Sequence, residues 1–321
     1  MILEVRNLRV EFPTRRGALV AVDDVSFAIA PGEVLGVVGE SGAGKSVTGM
    51  SIINLLEPPG RIAAGEVRLA GERIDNLSPE TMRRVRGRRI GMVFQDPLTS
   101  LNPLYTIGRQ LEETIATHLG LGRAATREKA LALLRDVGIP APETRYHHYP
   151  HQFSGGMRQR VVIALGIAAD PVLLIADEPT TALDVSIQAQ IIALIKRLAA
   201  ERGAAVMLIT HDMGVIAETS QRVAVMYAGR LVELGPVREV IQAPRHPYTV
   251  GLMGSIPKIG ARRRLVQIDG AMPRLNAIPQ GCAFHPRCPR RFARCLAERP
   301  DLIPAGTGSN TLAACWLHAA A

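Results

Sequence analysis

The sequence predicts an α/β fold in which a parallel, doubly wound sheet is buried between helices. Strand-like segments alternate with segments of helical periodicity along most of the chain. Hydrophobic residues make up 47% of the chain and aromatic residues only 4%, so Val, Ile, Leu and Ala supply the apolar mass that buried parallel strands need. With 321 residues, the chain is long enough for one large domain with an appendage, or for two small domains.

The N-terminal part is predicted to form a pair of strands. The segments ILEVRNLRVEF and VDDVSFAIAPGE both alternate apolar and polar residues, and the basic turn PTRRGAL joins them. The following elements are, in order, the strand VLGVVG, the helix KSVTGMSIINLLE ending before Pro58, the strand–turn–strand GEVRLAGERI and the strand RIGMVFQD.

From residue 98 to residue 150 the pattern becomes helical. Within it, TREKALALLRDVG predicts a helix with Thr126 as its N-cap and Gly138 as its stop. The alternation then resumes with the helix GMRQRVVIALGIAA, the strand VLLIAD, the helix SIQAQIIALIKRLAAERG, the strand AAVMLITHD, the helix MGVIAETS and the strands RVAVMYAGRLVELG. After about residue 240 the pattern loosens into Pro, Arg and Cys.

Charge and hydropathy limit the classes of protein. The net charge of +9 is compatible with nucleic acid, anionic lipid or anionic substrates as partners, and equally with a solvated basic surface. A phosphate-handling site and a nearby membrane would account for part of it. No apolar run approaches the roughly 20 residues of a membrane-spanning helix, and the N-terminus lacks a signal-peptide core. We therefore expect a cytoplasmic chain whose role at a membrane needs a spanning partner.

The segment GESGAGKS, residues 39–46, fits the phosphate-loop pattern G-x-x-x-x-G-K-[ST] between a strand and a helix. Its glycines allow backbone N–H groups to surround phosphate oxygens, and the helix N-terminus adds partial positive charge. Lys45 supplies a full charge to the β- and γ-phosphates, and Ser46 offers its hydroxyl to Mg²⁺. The predicted phosphate ligands are Gly39, Ser41, Gly42, Gly44, Lys45 and Ser46.

Two adjacent acids follow the apolar strand in DPVLLIADEPTTALDVS. Asp177 lies at the carboxyl end of that strand, where a doubly wound sheet places its ligands, and is predicted to hold Mg²⁺. Glu178 is predicted to face the attacking water as general base or orienting group. A pair of acids that merely caps the next helix is the alternative, and the phosphate loop makes it the weaker one.

The order of the motifs resembles that of ATP-binding-cassette ATPases. The phosphate loop, QDP from Gln95, FSGGMRQR, the acidic strand, ALD and ITHD follow one another, and the resemblance covers residues 1–240. The segments QDPLTSLNP, GMRQRVVIA, DEPTTALDVSIQAQI, HPYT at 246–249 and GCAFHPRCP are similar to those of the ATPase subunits of oligopeptide and dipeptide importers. The resemblance implies a nucleotide-binding domain at 1–240, with a helical subdomain at about 96–159, and an extension at 241–321.

The resemblance also implies roles for single residues. Gln95 would sense Mg²⁺ and the attacking water, His211 would contact the γ-phosphate, and Asp184 would lie at a subunit interface. A signature loop of Ser154, Gly155 and Gly156 would cradle the γ-phosphate held by the opposite subunit.

Two positions depart from the common family pattern. Cassette ATPases stack adenine on an aromatic residue after the first strand, and Phe12 is the candidate here. Because the loop after Phe12 is longer than in the common pattern, a role of Phe12 as a core residue is an equal alternative.

Met157 stands where the common signature L-S-G-G-Q has glutamine, and a thioether cannot donate and accept hydrogen bonds as an amide does. Because the resembled subfamily often pairs such a subunit with one that lacks this change, we expect a heterodimer with unequal sites.

The implied assembly is a peptide importer at the cytoplasmic face of the inner membrane. This chain would bind ATP and Mg²⁺, pair with a second related ATPase, and work with two membrane-spanning permeases and an extracytoplasmic peptide-binding protein. A motor for nickel or another small solute is an alternative. An ATPase acting on nucleic acid or the ribosome is a further alternative, disfavoured because the chain has neither a second cassette nor a long coiled-coil insertion.

All four cysteines fall in the tail, as Cys282, Cys288, Cys295 and Cys315, and a reducing compartment disfavours disulfides among them. Their spacing, C-x5-C-x6-C-x19-C, differs from that of common zinc modules. Four thiolates could hold a [4Fe–4S] cluster or Zn²⁺, with His285 and His318 as substitute zinc ligands. The resembled subfamily favours the cluster, and four reduced thiols remain the alternative.

Overall fold

The computed structural model describes residues 1–15, 17–181, 183–255, 267–306 and 308–319. The strands in this part of the chain are β1 (Leu3–Thr14), β2 (Gly17–Ile29), β3 (Val34–Val38), β4 (Arg61–Leu69), β5 (Glu72–Arg73), β6 (Ile90–Val93), β7 (Leu173–Asp177), β8 (Ala205–Thr210), β9 (Arg222–Tyr227), β10 (Arg230–Pro236), β11 (Ile303–Pro304) and β12 (Leu312–Ala313).

The α-helices of the described residues are α1 (Lys45–Ile52), α2 (Pro79–Val85), α3 (Pro97–Ser100), α4 (Ile107–Leu119), α5 (Arg123–Asp136), α6 (Pro142–Arg145), α7 (Gly155–Gly166), α8 (Val185–Arg202), α9 (Met213–Thr219), α10 (Val237–Gln242), α11 (Pro247–Gly254) and α12 (Ala293–Ala297). Short 3₁₀ helices lie at Pro150–Gln152, His285–Arg287 and Trp316–His318. Of the helices in these ranges, none is long and apolar enough to cross a bilayer.

The chain divides into two compact units, each assembled from separate stretches of sequence. Unit 1 comprises Met1–Leu3, Ile29–Val34 and Leu69–Ile209. Unit 2 comprises Glu4–Ala28, Leu35–Arg68 and Thr210–Ala321. The fold class is α/β as predicted: parallel strands carry the core, an additional small sheet lies at the N-terminus, and helices follow the strands.

Unit 1 is built on the parallel strands β6, β7 and β8. Ile90 pairs with Leu173 between β6 and β7, and Asp177 pairs with Ile209 between β7 and β8. All five residues of β7 are buried, which explains why this strand reads as a continuous apolar run before its terminal acid. The predicted parallel pairing is confirmed here.

The helical part of unit 1 spans α3 to α7. Helix α5 begins at Arg123 with Gly122 as its N-cap, so the predicted cap at Thr126 is wrong. The Thr126 hydroxyl lies inside the helix and donates to the carbonyl of Leu121 at 3.2 Å, a local side-chain-to-backbone bond. The helix ends at Asp136, and Gly138 follows with φ +73°, so the predicted stop is confirmed.

Unit 2 contains two groups of strands. β2, β1 and β4 are hydrogen-bonded in that order. In the other group β3 runs parallel to β9, β9 antiparallel to β10, and β10 antiparallel to β12. Helix α1 ends at Ile52, earlier than its apolar periodicity predicts, because Asn54 adopts a left-handed backbone with φ +49°.

The C-terminal stretch of unit 2 is anchored by an aromatic cluster. The ring of Phe284, 2% exposed, lies 5.3 Å from the ring of Tyr227 and 5.5 Å from that of Tyr248, measured between centroids. The Tyr227 and Tyr248 rings are themselves 4.7 Å apart. Such offset and edge-to-face pairs add to the stabilisation from apolar burial. The cysteine-bearing segment therefore packs directly on β9 and α11.

Candidate functional site

The phosphate loop of unit 2 joins β3 to α1, as its sequence predicts. Two of its glycines are required by geometry. Gly39 has φ +159° and a Cβ there would collide with the carbonyl oxygen of Met226. Gly44 has φ +100°, and a Cβ would lie 2.8 Å from the carbonyl oxygen of Ala21. The loop is thus pressed against neighbouring backbone, and only glycine fits at these positions.

Lys45 begins α1 and is buried, with 5% of its surface exposed. Its ammonium donates to the carbonyl of Gly39 at 2.8 Å and to that of Glu40 at 3.1 Å. Ser46 follows as a half-buried residue in the first turn of the helix. A buried ammonium at a helix N-terminus is an electropositive setting suited to polyphosphate.

The two acids lie in unit 1 where the sequence places them. Asp177 is the last residue of β7 and is 6% exposed. Glu178 follows it in a left-handed backbone with φ +43°, and its N–H donates to the carbonyl of Ile209 at 2.8 Å. A non-glycine residue in this region stores strain, and such strain clusters at functional positions.

The carboxylate of Glu178 accepts hydrogen bonds from two neighbours. The amide of Gln95, which follows β6, donates from Nε2 to Oε2 at 3.2 Å. The hydroxyl of Thr181 donates to the same oxygen at 3.0 Å. The structure therefore brings together the predicted residues Gln95 and Glu178, and adds Thr181. A carboxylate oriented in this way is equipped to act as a general base or to orient water.

The segment around Ser154 forms the start of α7 in unit 1. The Ser154 hydroxyl accepts from the N–H of Met157 at 3.3 Å and so caps the helix that begins at Gly155. The residue before Ser154, Phe153, is 3% exposed and anchors the start of this segment in the core. Ser154 and Gly155 are exposed and Gly156 is half-buried, so the helix N-terminus faces the surface.

His211, Asp184 and Phe12 lie on separate elements of the fold, and the roles expected for them stay predictions. His211 follows β8 and is exposed, in a loop where Asp212 caps α9 by accepting from Gly214 at 2.7 Å. Asp184 is the exposed N-cap residue of α8. Phe12 is half-buried on β1, and its ring lies against Gly60, where a Cβ would come within 2.7 Å of it.

The four cysteines line one small cavity in unit 2. Burial, followed by the neighbouring cysteines, raises the pKa of Cys282 to about 11, and burial also raises the pKa of Cys288 and Cys315. In the described parts of the chain, however, no group of three or more His, Cys, Asp or Glu side chains is arranged to hold a metal ion. The four thiols converge on one cavity, but no preformed metal site is observed among the described residues, so binding of a cluster or of zinc stays a prediction.

Three residues that make contacts at these sites belong to none of the predicted motif roles. Thr181 lies three residues after Glu178 in DEPTT, a spacing that could have suggested the contact. Arg287 and Tyr248 contact Glu40 from more than 200 residues away in sequence, and no local pattern indicates such pairs.

The α/β fold, the phosphate loop and the acidic strand define a P-loop ATPase that uses ATP and Mg²⁺. Comparison with known proteins identifies the family within this class. Residues 22–181 match the family model described as ABC transporter, and residues 232–295 match that of the oligopeptide/dipeptide transporter C-terminal region.

Individual relatives agree with the family models. The chain is 49% identical to a putative peptide import ATP-binding protein of Brucella melitensis, over 100% of this chain and 98% of the relative. It is 48% identical to the dipeptide transport ATP-binding protein DppD of Bacillus subtilis, over 99% of this chain and 95% of the relative. A dimeric, post-hydrolysis ATP-binding cassette bound to ADP and Pi matches 74% of this chain and 99% of its own, at 28% identity and a TM-score of 0.66. The chain belongs to the ATP-binding-cassette transporter family.

Proposed function

We propose that this chain is the ATP-hydrolysing motor subunit of an importer for dipeptides or oligopeptides. The observation that carries the proposal is the presence, on one chain, of the cassette and of the oligopeptide/dipeptide transporter C-terminal region at 232–295. The relatives named as peptide and dipeptide transport proteins align with nearly the whole chain, which supports the same substrate class.

In this proposal the phosphate loop binds the nucleotide. The ligands are the backbone of Gly39, Ser41, Gly42 and Gly44, the Lys45 ammonium and the Ser46 hydroxyl. Lys45 is buried and already bonded to two carbonyls of its own loop, so its charge is held at the loop. Adenine would stack on the ring of Phe12. The alternative is that Phe12 is a core residue whose ring packs against Gly60.

Mg²⁺ would be held by Ser46, Asp177 and Gln95, whose oxygen donors are of the kind this cation prefers. When bound, it neutralises charge that develops on the transferred phosphoryl group. Asp177 suits this role because its carboxylate is held, 6% exposed, at the carboxyl end of a buried strand.

Hydrolysis is assigned to Glu178, with Gln95 and His211 as further catalytic residues. Glu178 takes the proton from the attacking water or orients that water. Gln95 and Thr181 fix the direction in which the carboxylate points. His211 contacts the γ-phosphate, and Ser154, Gly155 and Gly156 present a helix N-terminus to the γ-phosphate held by the opposite subunit.

The proposed assembly contains a second, related ATPase, two membrane-spanning permeases and an extracytoplasmic peptide-binding protein. Asp184 lies at the ATPase interface, and Met157 makes the composite sites of the heterodimer unequal. The chain is placed peripherally at the cytoplasmic face of the membrane. Residues 1–240 act as the nucleotide-binding domain, with a helical subdomain at about 96–159, and 241–321 as the extension.

Uptake by cells tests the substrate class. A strain lacking this chain, complemented with the intact chain or with Lys45→Ala, is supplied separately with a labelled dipeptide, a labelled pentapeptide and ⁶³Ni²⁺. Peptide uptake that requires intact Lys45, with Ni²⁺ uptake unaffected, is the expected result. Loss of Ni²⁺ uptake alone would replace the peptide with a metal cargo.

We further propose that Cys282, Cys288, Cys295 and Cys315 hold a [4Fe–4S] cluster, with Zn²⁺ as the alternative. The support is that all four soft sulfur donors line one cavity. The cluster would be structural or regulatory.

Anaerobic purification, visible absorption and analysis of iron, sulfide and zinc decide between these possibilities. A broad band near about 400 nm that is lost in Cys288→Ser is expected for the cluster. A colourless protein without iron or zinc would leave four reduced thiols.

A further inference from the structure

The second residue of the phosphate loop, Glu40, is held by the C-terminal part of unit 2. Arg287 donates from Nη1 to Oε2 of Glu40 at 3.0 Å and from Nη2 to Oε1 at 3.1 Å. The two side chains are 7% and 29% exposed, respectively, so solvent screens this bidentate pair less than a surface ion pair. The contact joins residues 247 positions apart in the sequence.

The backbone of Glu40 is fixed as well. Its N–H donates to the hydroxyl oxygen of Tyr248 at 2.9 Å, and the Tyr248 side chain is fully buried. Its carbonyl accepts from the Lys45 ammonium at 3.1 Å. The amide and the carboxylate of one loop residue are therefore held by the C-terminal extension, while the carbonyl is held by the loop lysine.

Arg287 is itself rigidly placed. Its Nε donates to the carbonyl of Asp269 at 2.9 Å and its Nη2 to the carbonyl of Ile268 at 3.3 Å. The guanidinium also lies 5.8 Å from the ring centroid of Tyr227 and 5.9 Å from that of Phe284. A planar guanidinium held from several sides loses little further freedom when it binds a carboxylate.

The charge of Glu40 explains why this contact concerns nucleotide binding. A carboxylate on a loop that receives polyphosphate repels the ligand unless a cation neutralises it. Arg287 supplies that cation and fixes the carboxylate in one direction, and Tyr248 fixes the amide beside it. Without these contacts the loop would carry an unbalanced negative charge and greater freedom.

We propose that Arg287 and Tyr248 are positioning residues for the phosphate loop, through which the C-terminal extension sets the affinity of the chain for ATP. The inference rests on the proposed nucleotide site at residues 39–46. It also gives the cysteine segment a functional connection, because Arg287 directly precedes Cys288. A change in the structure of that segment is expected to reach the phosphate loop through Arg287 and, because Phe284 packs on Tyr248, through Tyr248 as well.

A double-mutant cycle on the full-length chain tests the proposal. The dissociation constant of a fluorescent ATP analogue is measured for the wild type, Arg287→Gln, Glu40→Gln and the double variant. Arg287→Gln should weaken binding about tenfold, equivalent to about 1.4 kcal/mol. In the Glu40→Gln background the same change should alter the dissociation constant less than about twofold, because the charge to be neutralised is absent.

Further variants separate positioning from folding. Arg287→Lys keeps the positive charge but not the planar, bidentate guanidinium, and should give an intermediate loss of ATP affinity. Arg291→Gln, which changes an exposed arginine, should bind ATP like the wild type. Tyr248→Phe should weaken binding without changing the charge. In steady-state hydrolysis, Arg287→Gln should raise KM for ATP and leave kcat nearly unchanged. If Arg287→Gln does not fold, the ATP affinities of Arg287→Lys and Tyr248→Phe are compared with that of the wild type instead.

Two results would overturn the inference: unchanged ATP affinity in folded Arg287→Gln, Arg287→Lys and Tyr248→Phe, or an equal loss in both Glu40 backgrounds. Lys45→Ala distinguishes this failure from that of the nucleotide site. If Lys45→Ala abolishes binding while Arg287→Gln has no effect, only the positioning role is wrong. If the wild type and Lys45→Ala bind ATP alike, the nucleotide site itself is wrong.

Discussion

The Gln95 amide and the Glu178 carboxylate are hydrogen-bonded across two neighbouring parallel strands, with 3.2 Å between Nε2 and Oε2. Glu178 carries this contact from a strained backbone with φ +43°. This backbone conformation and the hydrogen bond from Gln95 together restrict the orientation of the Glu178 carboxylate. Gln95 is thus placed to control the group to which we assign the activation of water.

Gln95→Ala should slow hydrolysis without removing nucleotide binding. The variant loses the donor that orients Glu178, and an oriented base contributes roughly 10²–10⁴ to a rate, of which we expect about tenfold to depend on this contact. Single-turnover ATP hydrolysis and ATP-analogue binding measure the two effects separately. A loss of binding as large as the loss of rate would contradict the orienting role and leave Gln95 as a proposed Mg²⁺ ligand alone.

Ser154→Ala and Thr106→Ala form a matched pair of helix-cap variants. Ser154 caps α7 and Thr106 caps α4, each by accepting from a backbone N–H at 3.3 Å. Both variants should lose about 1 kcal/mol of unfolding free energy. Only Ser154→Ala should also lower ATPase activity in the assembled complex, because the proposed signature loop contacts the opposite γ-phosphate. Equal activities in the two variants would contradict that role.

Phe284→Ala should destabilise the C-terminal part of unit 2. The ring is 2% exposed and contacts the Tyr227 and Tyr248 rings, so its removal should cost about 3–5 kcal/mol. Phe292→Ala, which removes a ring that is 41% exposed, should cost much less. Denaturant unfolding of both variants provides the comparison, and similar costs would show that the cluster is not the anchor.

The buried His246 should make stability fall in acid. Burial, and secondarily the charge of His318, lowers the pKa of His246 to about 3. Because the unfolded state binds a proton below about pH 6.5 and the folded state does not, stability is lost as pH falls below that value. The loss should reach about 2 kcal/mol at pH 5.

His246→Asn is the variant that isolates this effect. His246 Nδ1 accepts from the N–H of Tyr248 at 3.1 Å, and an asparagine oxygen is a substitute acceptor. Glu233, whose pKa is raised by burial, contributes in the opposite direction in both proteins; its bond from residue 246 comes from the backbone N–H at 2.8 Å and persists in the variant, so most of this contribution cancels in the difference. The difference in unfolding free energy between wild type and His246→Asn should therefore change with pH between 7.5 and 5. A difference that is independent of pH would contradict the assignment.

The sequence predicts the strands and the motif positions well because both are local. The apolar run before Asp177 indicates a buried strand, and the spacing of the glycines in residues 39–46 indicates a phosphate loop. Helix ends are less predictable: Thr126 is a good cap residue by type, but Gly122 begins the helix. The contact of Arg287 with Glu40 could not be predicted, because tertiary packing of the aromatic cluster, rather than any local pattern, brings these distant residues together.

The most direct test of the account is ATP hydrolysis by Glu178→Gln. The amide keeps the shape of the side chain but cannot accept the proton, so ATP binding should persist while turnover falls at least about a hundredfold. Glu113→Gln, an exposed acid exchanged in the same way on α4, is the matched control and should hydrolyse ATP like the wild type. Retained ATP binding with lost turnover in Glu178→Gln alone is the predicted result. Turnover close to that of the wild type would contradict the assignment of Glu178 as the group that activates water.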